Sequence, residues 1–288
     1  MKVLFLHPDL GIGGAERLVC DAGLALKSKG HTVSFATTYH DPGHCFPETR
    51  NGTFPVTVFC DWIPRSIFGK CRAACMYLRM IFAAVYLCLF STQAKEADVI
   101  FVDQVSHCVP ILRLLSNATI LFYCHYPDQL LSKPGSTLKS FYRLPLDKFE
   151  EYSTGRAHKI LVNSEFTLRV FRETFKTLNN VKVDVLYPAL QTKVFAKKAR
   201  KPNRFTIPND QLIISSVNRY ERKKGLSVAF DALAIVRKQF PEMKIHFIHG
   251  GGYDPQNNEN VEHFEELRRS WIHRGPRRRL STSPRFIQ

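Results

Sequence analysis

Three short stretches hold residue types that could do chemistry together. Gly11-Ile12-Gly13-Gly14-Ala15-Glu16 places glycines where a helix is expected to begin. A ligand can approach such a backbone closely, and the free N–H groups of a helix start favour an anion. Tyr123-Cys124-His125-Tyr126-Pro127-Asp128 sets a histidine just past a buried run. A histidine there can hydrogen-bond a hydroxyl or move a proton near neutral pH. Asn218-Arg219-Tyr220-Glu221-Arg222-Lys223-Lys224-Gly225 gathers four cations at the head of a helix. That suits a diphosphate, whose charge grows as it departs. Each stretch also has a plainer reading: a tight turn, a structural strand-end histidine, a solvated charge run. The first fails the dinucleotide fingerprint, because Glu16 stands where the last glycine belongs and no acid closes the second strand. A nicotinamide cofactor is therefore not expected.

The elements that must position these residues follow an α/β pattern. Lys2 to Leu6 is a short buried strand, the glycine turn follows, a helix runs to about Lys29, and Thr32 to Ala36 is the next strand. Asp98 to Val102, Thr119 to Cys124, Lys159 to Val162 and Val183 to Leu186 read as further strands, with a helix at Ser164 to Thr177 among the segments between them. This predicts one doubly wound, Rossmann-like domain over residues 1–190. Residues 191–209 are basic and read as a linker. A second βαβ unit over 210–267 begins with the strand Leu212 to Val217, the helix Leu226 to Phe240 and the strand Lys244 to Ile248. Two strands alone are marginal, so this second Rossmann-like domain reads as incomplete. Residues 268–288 carry seven arginines and no acid, have no hydrophobic period, and read as a disordered tail that left its reading frame or was spliced elsewhere.

The chain has 288 residues, a net charge of +16 and 44% hydrophobic residues, a composition that excludes a disordered protein. The charge favours anionic partners, but its concentration in the tail argues against a nucleic-acid interface. Eight cysteines without a CxxC pair argue for reduced, mostly buried thiols facing the cytosol. Ala73 to Phe90 is apolar except for Arg79. Arg72, Arg79 and Tyr86 recur every seven residues, which predicts a helix lying in a membrane interface with both arginines reaching for headgroups. The alternative is a core helix beneath the sheet.

Taken together, the stretches resemble the retaining glycosyltransferases of family 4, which have the GT-B fold, and within them the dolichol-pathway mannosyltransferases that use GDP-mannose. The match is carried by His7 to Leu18, Asp41-Pro42-Gly43-His44-Cys45-Phe46, Tyr123 to Asp128, Asn218 to Lys224 and Gly251-Gly252-Tyr253-Asp254. The resemblance implies that Gly13 and Gly14 shape the loop beside the donor phosphates, with Glu16 and Asp128 on the acceptor side. It implies that His125 contacts the mannose and that Arg219 and Lys224 hold the diphosphate of GDP-mannose, with no bound metal or other cofactor. The implied acceptor is mannosyl-chitobiose on dolichyl diphosphate at the cytosolic face of the endoplasmic reticulum membrane. Association with other dolichol-pathway mannosyltransferases is implied too, and no nucleic acid. One departure is large: the family's donor-side glutamate pair has no counterpart after Gly252. A chain of this extent is therefore expected to be inactive, or to act as a non-catalytic fragment.

Overall fold

The computed structural model describes residues 1–67, 71–131, 137–189, 210–252, 258–274 and 285–287. The expected linker, Tyr253, Asp254 and much of the basic tail lie outside the described residues. The chain divides into two compact units, residues 1–197 and 198–288.

The first unit runs β1 (Lys2–His7), α1 (Gly14–Ser28), β2 (Thr32–Thr37), β3 (Val56–Val58), α2 (Arg72–Phe90), α3 (Thr92–Glu96), β4 (Val99–Asp103), α4 (Val109–Leu115), β5 (Thr119–Cys124), α5 (Thr137–Thr154), β6 (Lys159–Val162), α6 (Glu165–Thr174) and β7 (Val183–Val185). Its seven strands form one sheet in the order β3-β2-β1-β4-β5-β6-β7, and every neighbouring pair is parallel. The order reverses between β1 and β4, the point where open sheets of this kind hold ligands.

Parallel strands covered on both faces must be apolar on both, and these are. Leu4 and Leu6 face a core shared with Met80, Ala83, Ala84 and Leu87 of α2. Val3 and Phe5 face the opposite core with Leu18 and Val19 of α1. On that α1 face Phe5 stacks on Phe35 at 4.9 Å and lies 4.8 Å from Phe101, which stacks on Tyr123 at 5.9 Å. This aromatic row ties β2, β1, β4 and β5 together and aims the next residues on the same face, at the strand ends, toward α1.

The α2 helix has one buried face and one apolar exposed face. Arg79 is the correction to the expected membrane stripe. It is 3% exposed and donates to the Thr38 carbonyl, with its guanidinium 3.1 Å from the Asp61 carboxylate. Its charge found partners inside the protein, so it does not reach for headgroups. Arg72 and Tyr86 remain exposed. All eight cysteines are free thiols, and all but Cys60 and Cys71 are buried.

The second unit runs β8 (Leu212–Val217), α7 (Ser227–Gln239), β9 (Ile245–Gly250), α8 (Asn258–Arg274) and β10 (Arg285–Ile287). The sheet order is β10-β9-β8, all parallel. The segment from Arg268, expected to lack structure, therefore begins inside a helix and ends in a third strand. Arg268 and Arg269 follow Leu267, the last buried residue of α8 among the described side chains.

Candidate active site

Three adjacent strands of the first unit end in polar residues on the α1 face. Positions 3, 5 and 7 of β1 alternate onto that face, as do 101 and 103 of β4 and 123 and 125 at the end of β5. The last register pair between β1 and β4 is Leu6 with Val102, so His7 and Asp103 lie side by side one step further. The backbone after Asp103 turns sharply, with Gln104 in the left-handed region at φ 64.

Asp103 is fully buried and sits between two imidazoles. Nε2 of His125 lies 2.9 Å from its Oδ1 and 3.2 Å from its Oδ2, and Nε2 of His7 lies 3.1 Å from Oδ2. Burial alone would raise the Asp103 carboxyl, but the hydrogen bonds from His125 and His7 outweigh it and hold it below the usual carboxylate range. Burial alone would lower His125. The hydrogen bond and charge of Asp103, helped by Glu16, raise it above the ordinary imidazole value instead. The backbone is held as well: Asn163, just past β6, donates its amide to the His125 carbonyl at 3.0 Å, and Tyr123 meets the ring edge-on at 4.9 Å.

Of the residues expected at a site, Glu16 and His125 thus share one electrostatic neighbourhood. Gly13 precedes α1 and no side chain caps the helix there. A Cβ placed on Gly14 would meet nothing within 4 Å, so the helix start opens onto free space. Asp128 is not part of this group. Tyr77 of α2 donates to its carboxylate, and its backbone N–H donates to Glu150 at 2.6 Å. It braces the loop after His125 against α2 and α5. Glu150, buried under the same loop, is pushed up to about 7 by that burial.

In the second unit Arg219, Arg222, Lys223 and Lys224 are all exposed, and Arg219 lies 3.7 Å from Glu221. Arg222 pairs with Glu266 at 2.5 Å and Glu262 at 3.2 Å on α8, and Lys223 with Glu221 at 3.0 Å. The Gly251-Gly252 turn lies against the Asn218-Arg219 loop. A Cβ on Gly251 would stand 1.6 Å from the Asn218 carbonyl oxygen, and Tyr220 N–H reaches the Gly252 carbonyl at 3.4 Å.

Asp103, His7 and Asn163 were missed as site residues. Asp103 closes an apolar run, Val99-Ile100-Phe101-Val102, and a strand-end acid was the signal that could have found it. The expected strand ended one residue early.

Comparison with known proteins places this geometry. Residues 12–194, more than half the chain, match the model of Glycosyltransferase Family 4. The chain is 47% identical over 275 residues to the alpha-1,3/1,6-mannosyltransferase ALG2 of Homo sapiens, covering 93% of this chain and 65% of that protein. It is 41% identical over 287 residues to the protein of the same name from Dictyostelium discoideum, covering 68% of it. The chain thus spans about two thirds of the length of these relatives. Among solved structures, an alpha,alpha-trehalose 6-phosphate synthase from Burkholderia multivorans matches with a TM-score of 0.68 at 14% identity, over 99% of this chain and 73% of that one. That likeness shows the GT-B type of fold, with Rossmann-like units. The chain belongs to glycosyltransferase family 4, in the branch of the alpha-1,3/1,6-mannosyltransferases.

Proposed function

We propose that the chain is the acceptor-side part, with the start of the donor side, of a retaining mannosyltransferase. The enzyme would move mannose from GDP-mannose to mannosyl-chitobiose on dolichyl diphosphate, in α-1,3 and then α-1,6 linkage. The observation that supports the reading is the 41–47% identity, over 93% of this chain, to proteins named alpha-1,3/1,6-mannosyltransferase. The Asp103–His125 pair supports it, because it leaves an imidazole nitrogen at the open carboxyl edge of the sheet. In this reading His125 contacts the mannose, and Gly13 and Gly14 leave room for donor phosphates beside the helix start. Glu16 lies on the acceptor side. Arg219 and Lys224, exposed cations at either end of their loop, hold the diphosphate, doing work that elsewhere falls to a metal.

In this reading the acceptor's lipid tail holds the reaction at a membrane, which we take to be the cytosolic face of the endoplasmic reticulum. The exposed side of α2 supports that location: Met76, Leu78, Phe82, Tyr86, Leu89 and Phe90 are all solvent-exposed, and Trp62 packs beside Phe82. A contiguous apolar patch of this kind marks an interaction surface. Here a bilayer interface is its partner, with Arg72 at the rim.

The test is transfer of labelled mannose from GDP-mannose to lipid-linked mannosyl-chitobiose in membranes. One sample holds these 288 residues, and the other holds them extended by the last third of a relative. Product from the extended chain alone is the expected result, because the second sheet has three strands among the described residues against seven in the first. Product from neither would remove the mannosyltransferase reading.

A further inference from the structure

We propose that Asp103 is a positioning residue that fixes which nitrogen His125 presents to substrate and joins that histidine, through His7, to the glycine loop. The inference rests on the reading of His125 as the sugar contact. The argument is one of hydrogen-bond accounting. Nδ1 of His7 lies 3.3 Å from the Asp9 backbone N–H, which can only donate, so this nitrogen is the acceptor. The proton of His7 therefore sits on Nε2, 3.1 Å from Asp103 Oδ2. The same carboxylate takes His125, whose Nε2 hydrogen-bonds Oδ2 at 3.2 Å and lies 2.9 Å from Oδ1. An ionised carboxylate only accepts, so Nε2 of His125 must carry a proton as well, and Nδ1 is the nitrogen left for a ligand.

The chain of contacts runs Asp9 N–H, His7, Asp103, His125, and it crosses from the loop before α1 to the loop after β5. Glu16, in the first turn of α1, adds its charge to the field at His125. The groups facing the His125 ring are Asp103 from β4, Glu16 from α1 and the Tyr123 ring from β5. A carboxylate behind a histidine sets tautomer, orientation and basicity together, and loss of such a partner commonly costs a catalyst far more than a single hydrogen bond would suggest.

The 288-residue chain labelled with 15N-histidine supplies the first test, by long-range 1H–15N spectra across pH. His7 and His125 are each expected as the Nε2–H tautomer when neutral. His125 is expected to titrate above about 6.5. In Asp103→Asn it should titrate below that value. Finding His125 neutral with its proton on Nδ1, or finding its titration unmoved in Asp103→Asn, overturns the proposal. The tautomer reading needs no variant, so it stands even where Asp103→Asn does not fold.

The second test uses the extended chain. Asp103→Asn should lower kcat about 100-fold or more while KM for GDP-mannose changes little, and Asp103→Glu should recover part of the loss. Spectra as expected with no transfer from any version would retain the positioning and sink the mannosyltransferase reading. Transfer with kcat unchanged in Asp103→Asn would retain the enzyme and sink the positioning.

Discussion

At the scale of single residues, the Asp103–His125 pair sets a pH dependence whose sign can be worked out. His125 is raised in the fold, so its contribution is complete below its unfolded value of about 6.5 and is lost as pH rises through the folded value. Asp103 is lowered, so its contribution is complete above about 4 and is lost as pH falls through its folded value. The pair therefore stabilises the first unit most between about pH 4 and 6.5. Asp103→Asn should cost most stability near pH 5.5, and its gap from the parent chain should narrow by pH 9. Thermal unfolding at the two values checks this, and a gap that widens with pH would contradict it. Gly251 offers a steric counterpart in the second unit. Its added methyl would collide with backbone, not with a side chain that could swing aside. Gly251→Ala should destabilise that unit by about 1–3 kcal/mol, visible in denaturant titration. The glycine is therefore explained by packing before any ligand is invoked.

Among the elements, α2 shows where periodicity informs and where it misleads. Spacing by seven does put residues on one stripe, and Arg72, Arg79 and Tyr86 share one. What spacing cannot say is which way a long side chain bends. Arg79 turns inward because the Thr38 carbonyl and Asp61 offer partners that only the folded chain brings near. Arg79→Ala should therefore destabilise the first unit by about 1–3 kcal/mol, because the Thr38 carbonyl is left buried without its donor. A membrane-binding assay on the same variant should change little once folded material is selected, which the snorkelling reading would not allow. The strands were more legible. β5 and β6 fall where apolar runs put them, because a strand buried on both faces has little room for polar residues; β8 falls on its apolar run too, although most of its side chains are exposed. β3 has three residues and α5 carries Pro145, so neither offers a window long enough for a pattern. The site was half legible on the same grounds: His125 follows a well-marked strand, whereas Asp103 needs the strand's exact end and its neighbour across the sheet.

For the molecule as a whole, the proposed function asks how the chain would meet a membrane, and α2 decides between crossing and lying on it. The helix is long and apolar enough to cross a bilayer by length and composition. Crossing would require Met80, Ala83, Ala84 and Leu87, each fully buried against the sheet, to leave the core. The sheet side chains they cover would then be left without that cover, at about 1.5–3 kcal/mol for each large one exposed to water, and Arg79 would enter the hydrocarbon without its partners. Lying on the interface costs none of this and buries side chains that are already outside, among them Trp62 at 79% and Phe90 at 71% exposure. The chain should therefore co-sediment with phosphatidylcholine–phosphatidylserine vesicles and be released by alkaline carbonate. Phe82→Asp with Phe90→Asp should weaken partitioning about tenfold or more, since each removes apolar burial worth about 1–2 kcal/mol without touching the core. The net charge of +16 adds attraction to anionic lipid that salt should screen. Binding that vanishes in salt yet ignores the double substitution would assign the surface to charge alone. Binding that resists carbonate would mean α2 does leave the sheet, and the core described for the first unit would then have to be rebuilt without it.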